Sequence, residues 1–217
     1  MEKQLGVKYV SAARQVHGDK VLVIKSQDPG PKTQKSNSSR QIAKARLRSI
    51  TNTEADALIT NIPGLAVGVR VADCVGTVII DPKNKVVAAV HSGWRGVANR
   101  IIVKTVKLMK KEFGSKPSDM IAAVSPAIGP CCYEIGGEVL KLKKHRVFSN
   151  IWKDKNGRTH MDLWQGVKNL LVSQGLRTKN IKICNMCTAD NPELFYSHRR
   201  DKGKTGRMMA IGFYKPS

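Results

Sequence analysis

Three residues in this sequence have the side-chain types of a catalytic metal site: His17, Cys74 and His91. Each follows or lies beside a run of β-branched residues, which predicts a position near a strand end. Two imidazoles and one thiolate suit zinc, and three protein ligands leave a fourth coordination position for water or substrate. The spacing is too long for a local zinc finger, so the fold must assemble the site. Spacing alone also leaves open a capped polar histidine and a thiol that packs as a small hydrophobe.

The elements that must position these residues are short runs of β-branched and apolar residues. Strands are predicted at 7–10, 20–25, 64–70, 75–80, 86–90, 121–124, 181–184 and 208–214, and 53–60 leads into another. Periodicity predicts helices at 97–113 and 162–174, one that begins near Gly137, and a short basic helix at 41–48. Strands dominate the first half of the chain, which favours an α+β or mixed α/β fold over a parallel βαβ array. A chain of 217 residues most simply forms one domain, over 1–217.

The number of cysteines and the character of the N-terminus indicate the cellular compartment of the protein. Five cysteines, an odd number with two close pairs, do not resemble a disulfide framework. In a reducing compartment such residues are thiols, metal ligands or nucleophiles. No stretch is apolar and long enough to span a bilayer, and the N-terminus lacks an apolar signal core. We therefore predict a cytoplasmic protein with no membrane partner.

The net charge of +22 indicates an attraction to polyanions. The stretch at about 26–49 is rich in Pro, Gly, Ser, Lys and Arg with Asp28 as its one acid, and we predict it to be a basic, mobile insertion. Nucleic acid is not the favoured partner, because no RNA-binding signature sets aromatic residues among the basic ones. A basic surface would equally attract phosphate or a phosphorylated substrate, and the sequence is also compatible with a homodimer.

Short motifs surround the three candidate ligands and continue along the chain in a fixed order. They are QVHG at 15–18, ADC at 72–74, HSGWRG at 91–96, GPCCYE at 129–134, CT at 187–188, SHRR at 197–200 and TGR at 205–207. Together they closely resemble the multicopper polyphenol oxidoreductase (laccase-domain) family, from about Val10 to Gly212. Each motif alone is short, but their order makes a chance match very improbable.

The resemblance implies a fold and a chemistry. It implies layered α/β/β/α architecture with mixed β-sheets, and zinc held by His17, Cys74 and His91. It further implies phosphorolysis of adenosine, inosine, guanosine and methylthioadenosine, with adenosine deamination. Two departures stand out: the segment around 26–49 is longer than is usual for the family, and only 16 residues precede His17. The second departure indicates either a truncated or a divergent start. It concerns the completeness of one sheet and of part of the pocket.

Further site residues are predicted from the same motifs. Among the arginines, Arg95 is predicted to be catalytic and Arg199 and Arg207 to bind substrate, because a guanidinium grips phosphate in a forked geometry. Asp73 adjoins a ligand and is predicted to orient a histidine or accept a proton, with a structural cap as the alternative. Tyr133 is predicted to stack on a purine, with core packing as the alternative.

The remaining polar residues in these motifs are open to several interpretations. A surface salt bridge is favoured for Arg200, and His145 and His160 are predicted to lie on the surface. Packing beside the pocket is favoured for Cys131 and Cys132, but a helix N-terminus nearby would lower a thiol pKa and make one of them reactive. Cys184 and Cys187 have C-x-x-C spacing without a second pair, which makes a structural zinc site unfavoured.

These observations support competing functions. The leading hypothesis is a zinc-dependent purine nucleoside phosphorylase with adenosine deaminase activity, acting on purine nucleosides and phosphate. A copper-dependent polyphenol oxidase is an alternative, but five histidines are few for multicopper chemistry. A basic polyanion- or RNA-binding module without catalysis is another, and a Cys–His hydrolase rests on fold analogy alone.

Overall fold

The computed structural model describes residues 9–25, 50–141, 148 and 150–215. The strands are β1 (Tyr9–Ser11), β2 (Val21–Ile24), β3 (Ala57–Thr60), β4 (Leu65–Val71), β5 (Val75–Asp81), β6 (Val86–Ser92), β7 (Ile121–Val124), β8 (Trp152–Lys155), β9 (Arg158–Met161), β10 (Ile181–Ile183) and β11 (Met208–Gly212). The helices are α1 (Trp94–Ala98), α2 (Ile101–Phe113), α3 (Gly137–Leu140) and α4 (Leu163–Ser173). The basic insertion predicted at 26–49, its helix at 41–48 and His145 lie outside the described residues.

Two mixed sheets form the centre of the molecule. The larger has six strands in the order β10-β7-β5-β6-β3-β2, and the smaller has the order β1-β4-β11. Outer pairs of the large sheet are parallel, β10 with β7 and β2 with β3, whereas its central pairs are antiparallel. In the small sheet β1 is parallel to β4 and β11 is antiparallel to it. The predicted α+β class with layered mixed sheets is confirmed.

The large sheet is buried on both faces because each face packs against a different layer. Successive side chains of a strand point to opposite faces. In β6, Val86, Ala88 and Val90 belong to the core shared with the helices, whereas Val87 and Ala89 belong to the core shared with the small sheet. All seven residues of this strand are buried. A strand buried on both faces explains the continuous apolar run that marks β6 in the sequence.

The second amphipathic helix begins where its sequence predicts. The Asp162 carboxylate accepts a hydrogen bond from the Gln165 backbone N–H at 2.9 Å, which caps the first turn of α4. The helix predicted at 97–113 is wrong as a single element, because α1 and α2 are separate. Arg100, with φ of 60°, adopts the left-handed conformation between them and changes the direction of the chain. Helical periodicity carries no signal for one left-handed residue, so the break was missed.

A β-hairpin was also missed. Strands β8 and β9 are antiparallel and are joined through Asn156 and Gly157, which have φ of 50° and 72°. This Asn-Gly pair is the preferred sequence of a two-residue hairpin turn, and it was the available signal. Within the described residues, no helix combines the length and the apolar character that crossing a bilayer requires.

Candidate active site and metal centre

The fold brings the three predicted metal ligands together from distant parts of the chain. His17 lies in the turn between β1 and β2, Cys74 lies between β4 and β5, and His91 lies near the end of β6. Strands β5 and β6 are antiparallel partners with Gly76 opposite His91, so the turn before β5 is next to this histidine. The ligand atoms of the three residues lie within 4.8 Å of one another. We call His17, Cys74 and His91 the histidine cluster.

The backbone around this cluster is held in uncommon conformations. His17 has φ of 57° and Asp73, which precedes the ligand cysteine, has φ of 83°. Left-handed backbone costs a residue other than glycine about 1–3 kcal/mol, so surrounding contacts must hold it in place. Gly93 allows the cysteine to approach, because a Cβ at this position would lie 3.0 Å from the Cys74 Sγ. The rings of His17 and His91 pack edge to face, with centroids 4.8 Å apart.

A buried carboxylate, Asp56, connects two of the ligands. It accepts hydrogen bonds from the backbone N–H groups of Val16, His17 and Gly18, at 3.2, 3.0 and 2.8 Å. Its Oδ1 also lies 2.8 Å from the Nδ1 of His91. Asp56 is fully buried, so these contacts replace the water that a carboxylate would otherwise bind. The one side chain thus fixes both the turn that carries His17 and the ring of His91.

The charges of these groups depend on one another. Burial raises the pKa of the Cys74 thiol, but hydrogen bonds with His17 and His91 outweigh it and bring the pKa to about 7. Burial lowers the pKa of His91, but its contacts with Asp56 and Cys74 raise that pKa to about 9. Burial also raises the pKa of Asp56, and its hydrogen bonds hold the pKa below the usual value. The cluster therefore favours a thiolate, which is the ligand form of cysteine.

The donor set fits a zinc ion. Two imidazoles and one thiolate converge, and the Nδ1 of His91 is engaged by Asp56, which leaves Nε2 as the ring nitrogen for a metal. A carboxylate behind a ligand histidine is the usual arrangement in zinc sites. With three protein ligands, a coordination position stays open for a reacting group.

Beside the histidine cluster lies a cavity of about 470 Å³, a volume typical of small-molecule sites. Besides the cluster itself, polar side chains predicted from the motifs or adjacent to them line this cavity: Gln15, Asp73, Tyr133, His198, Arg199 and Arg207. The structure therefore places the predicted metal ligands and the predicted substrate-binding residues around a common space.

The three predicted substrate-binding residues have distinct surroundings. The Arg199 guanidinium lies 5.3 Å from the Tyr133 ring centroid and donates to the Glu134 carbonyl oxygen at 2.9 Å. The Arg207 guanidinium donates only to carbonyl oxygens of its own loop among its described contacts. Burial raises the pKa of Tyr133 to about 12, so its phenol is neutral at physiological pH. Their roles in binding stay predictions.

The two predicted catalytic residues differ in position. The buried Asp73 lines the cavity, and its carboxylate accepts from the Thr188 hydroxyl and from the Arg199 backbone N–H, both at 2.6 Å. The histidine-orienting role considered for Asp73 is filled instead by Asp56. Arg95 is exposed, packs over the Trp94 ring and lies 3.5 Å from a Glu138 oxygen, outside the cavity lining. Catalysis by either residue stays a prediction.

The cysteines outside the histidine cluster correct one expectation. Hydrogen bonds join the thiols of Cys131 and Cys132 to the Asp190 carboxylate at 2.9 and 2.8 Å. Burial and this carboxylate raise the pKa of Cys131 well above the usual range and that of Cys132 to about 12. The helix starts at Gly137 as predicted, but the suggestion that its N-terminus lowers a thiol pKa here is wrong, because burial and Asp190 raise the pKa of both thiols.

Two further residues were misjudged from sequence. His160 was predicted to lie on the surface but is buried, because it belongs to the hairpin that was missed. Asp56 was noted only as part of a strand approach, although a lone acid among buried apolar residues requires a partner. Its position between Ala55 and Ala57, directly before β3, was the signal that could have identified it.

Arg200 forms its expected ion pair, with Asp201 at 2.8 Å.

This chain is similar in sequence to proteins of known name. A purine nucleoside phosphorylase of Bacteroides thetaiotaomicron is 33% identical over 71% of this chain, and the match covers 59% of that protein. Adenosine deaminase RL5, from an unknown prokaryotic organism, is 33% identical over 76% of this chain and 66% of its own length. This chain thus spans about three fifths of the first relative's length.

A solved structure gives the same result for the fold. The crystal structure of YlmD from Geobacillus stearothermophilus superposes with a TM-score of 0.81 at 28% identity, covering 99% of this chain and 79% of that one. The sequence model described as multi-copper polyphenol oxidoreductase laccase matches residues 1–215, nearly the whole chain. Because this match covers nearly all residues, the chain belongs to the multi-copper polyphenol oxidoreductase laccase family.

Proposed function

We propose that this protein is a zinc-dependent purine nucleoside phosphorylase that acts on adenosine, inosine, guanosine and methylthioadenosine and also deaminates adenosine. The observation that carries the proposal is the convergence of the histidine cluster, Arg199 and Arg207 on one cavity of about 470 Å³. The relatives named as a purine nucleoside phosphorylase and an adenosine deaminase support it. The cysteines, none of them in a disulfide, support a cytoplasmic setting.

Phosphorolysis requires a site for an anion beside a site for a nucleoside. A phosphate oxygen forms a bond to the ribose C1′ while the bond from C1′ to the purine nitrogen breaks, and the leaving purine takes up a proton. Arg199 and Arg207 supply guanidinium groups on the cavity wall, which suit two phosphate oxygens at once. Tyr133 offers an aromatic face to the purine from the same wall.

The histidine cluster forms another part of the cavity wall. His17, Cys74 and His91 would hold the zinc ion, with Asp56 fixing the orientation of His91. When bound, zinc supplies a Lewis acid that stabilises developing negative charge. The Asp73 carboxylate accepts from the backbone N–H of Arg199. Asp73 therefore couples the turn that carries Cys74 to the loop that carries Arg199. The positioning of charged groups before the reaction is the main contribution of this chain's own residues.

Other activities would use the same donor set differently. Deamination needs water in place of phosphate as the attacking group. Two imidazoles and one thiolate also suit copper, so a copper-dependent polyphenol oxidase stays an alternative. The alternative of a noncatalytic polyanion- or RNA-binding module rests on the net charge of +22.

The decisive experiment follows nucleoside turnover by product chromatography. Zinc-loaded protein is incubated with adenosine, with and without phosphate, and compared with the His91→Ala variant. We expect adenine and ribose 1-phosphate only with phosphate, and inosine in either condition. His91→Ala should form none of these products. Absence of all these products from folded, zinc-loaded wild type would exclude the proposal.

Metal substitution separates the alternatives. Oxygen consumption on a phenol by copper-loaded protein, without nucleoside turnover by the zinc form, would favour the oxidase. Binding of RNA that is weakened by salt and unaffected by Cys74→Ala, in a protein without turnover, would favour the polyanion-binding module.

A further inference from the structure

A second group of metal-binding side chains lies away from the histidine cluster. It consists of Cys131, Cys132, Cys187 and Asp190, whose ligand atoms all lie within 4.8 Å of one another. We call these four residues the cysteine cluster. Two separate segments contribute to it, the loop after β7 and the loop after β10. None of the three cysteines is in a disulfide, so each sulfur is available as a ligand.

The 4.8 Å within which the four ligand atoms of the cysteine cluster lie includes the separations expected in a four-coordinate site. Zinc–sulfur bonds of about 2.3 Å in a tetrahedron place two sulfur atoms roughly 3.8 Å apart. The Asp190 oxygens lie 2.9 Å from the Sγ of Cys131 and 2.8 Å from that of Cys132, as acceptors of thiol hydrogen bonds. A cation would replace these thiol protons, since cysteine binds metal as a thiolate and metal binding releases protons.

The backbone beside the cluster favours sulfur ligands as well. The Gly129 N–H donates to the Sγ of Cys187 at 3.2 Å, which is a contact that stabilises a thiolate. A Cβ at Gly129 would lie 3.0 Å from the Sγ of Cys131 and 3.2 Å from the Cβ of Cys187. The absence of a side chain at this position therefore lets the two segments bring their sulfur atoms together.

The exposure of the four residues is consistent with a cation that enters from solvent. Cys187 is buried, Cys132 is partly buried, and Cys131 and Asp190 are exposed. An acidic side chain against three thiols would make a poor nucleophile site, because a carboxylate opposes formation of a thiolate. The same four groups are all donors to a divalent cation, and thiolates select zinc among the common ions of this charge.

We propose that Cys131, Cys132, Cys187 and Asp190 form a second zinc site, which is structural and independent of the histidine cluster. Four protein ligands fill a tetrahedron, as in structural zinc sites. The site would join the segment that carries Tyr133 to the segment that carries Thr188, whose hydroxyl donates to Asp73. The cavity wall that carries Tyr133 would then be fixed to the segment whose Thr188 holds Asp73.

Metal content tests the proposal without reference to activity. The full chain is reconstituted with zinc in a reductant that does not bind metal, and bound metal is measured by mass spectrometry. We expect about two zinc ions per chain in the wild type and about one in both Cys74→Ser and the double variant Cys131→Ser/Cys132→Ser. Cys184→Ser is the matched control, because Cys184 is exposed and outside both clusters, and should keep about two.

Cobalt assigns each ion to its cluster. Thiolate-to-cobalt absorption should persist in Cys74→Ser, which retains three sulfur ligands, and should fall by more than half in Cys131→Ser/Cys132→Ser. If the double variant fails to fold, Asp190→Asn replaces it, with an expected loss of zinc affinity of about tenfold at one of two sites. A wild type that binds one zinc, lost with Cys74→Ser alone, would overturn the proposal. A disulfide among the three cysteines in the reduced, zinc-treated protein would overturn it as well.

Discussion

The histidine cluster and the cysteine cluster differ in where the neighbouring carboxylate lies. Beside the histidine cluster, the buried Asp56 lies behind the ligands and accepts from the ring of His91 and from the backbone of the His17 turn. In the cysteine cluster the exposed Asp190 lies among the sulfur atoms, as a fourth donor. One cluster therefore has three donors and an oriented ligand, whereas the other has four donors and a backbone N–H behind one sulfur.

Under the two proposals, this difference would separate a reactive site from a structural one. A set of three donors at a cavity wall leaves a coordination position for substrate, and a carboxylate behind it keeps the ligand geometry fixed. Four donors from two loops leave no such position, so a cation bound there would act as a crosslink. The two clusters should consequently differ in how directly the loss of a ligand affects the reaction.

The largest effect is expected for Cys74→Ser. Loss of a ligand should exceed the effect of a change behind it, so phosphorolysis should fall by more than about 100-fold. Initial rates at saturating nucleoside and phosphate measure this loss. Cys184→Ser, the exposed cysteine outside both clusters, should keep the wild-type rate. A Cys74→Ser variant that retains most of its rate would remove the histidine cluster from the active site.

A smaller effect is expected for Asp56→Asn. The amide cannot accept all four hydrogen bonds that the carboxylate accepts, so His91 and the His17 turn lose part of their orientation. Zinc affinity at the histidine cluster should fall by about 10–100-fold, and excess zinc should restore part of the rate. Competition with a chromophoric chelator measures the affinity. Unchanged affinity would show that Asp56 supports the fold alone.

Asp81→Asn is the matched control for Asp56→Asn, because Asp81 is equally buried but lies away from both clusters. Its carboxylate stabilises the turn after β5 by accepting from Lys83 and Asn84. The variant should leave zinc affinity unchanged and lower the free energy of unfolding by about 1–3 kcal/mol. Burial raises the pKa of Asp81, but its hydrogen-bond donors outweigh burial and hold the pKa below the usual value of an aspartate. Its contribution to stability is thus full above the pKa of the unfolded chain and is lost as pH falls through the lowered pKa, so the wild type and Asp81→Asn should converge in stability in acid.

The smallest effect is expected for Arg199→Gln. Its guanidinium lines the cavity without touching the histidine cluster among its described contacts, so it should contribute to binding more than to the reaction. We expect the KM for phosphate to rise by about tenfold with little change in kcat. The exposed Arg177, outside the cavity, supplies the control Arg177→Gln, which should leave both constants unchanged. A fall in kcat with constant KM would instead assign Arg199 to the transition state.

Local pattern was sufficient for much of the fold. Apolar runs predicted the central strands, and the acidic residue before Leu163 marked the start of α4, because both signals come from neighbours in sequence. The break at Arg100 and the hairpin at Asn156–Gly157 were missed, although the second had a recognisable turn sequence. The residues at 26–49, where an insertion was predicted, lie outside the described part of the chain.

In the candidate site too, some features could be predicted from local sequence and others could not. Residue types and ordered motifs were enough to select His17, Cys74 and His91, since donor chemistry is a property of the side chain itself. Only the tertiary structure decided that Asp56, rather than Asp73, orients a ligand, that Arg95 lies outside the cavity, and that Cys131 and Cys132 meet Cys187 and Asp190. Such relations depend on strand pairing and loop packing between distant segments, and periodicity along the chain carries no record of either.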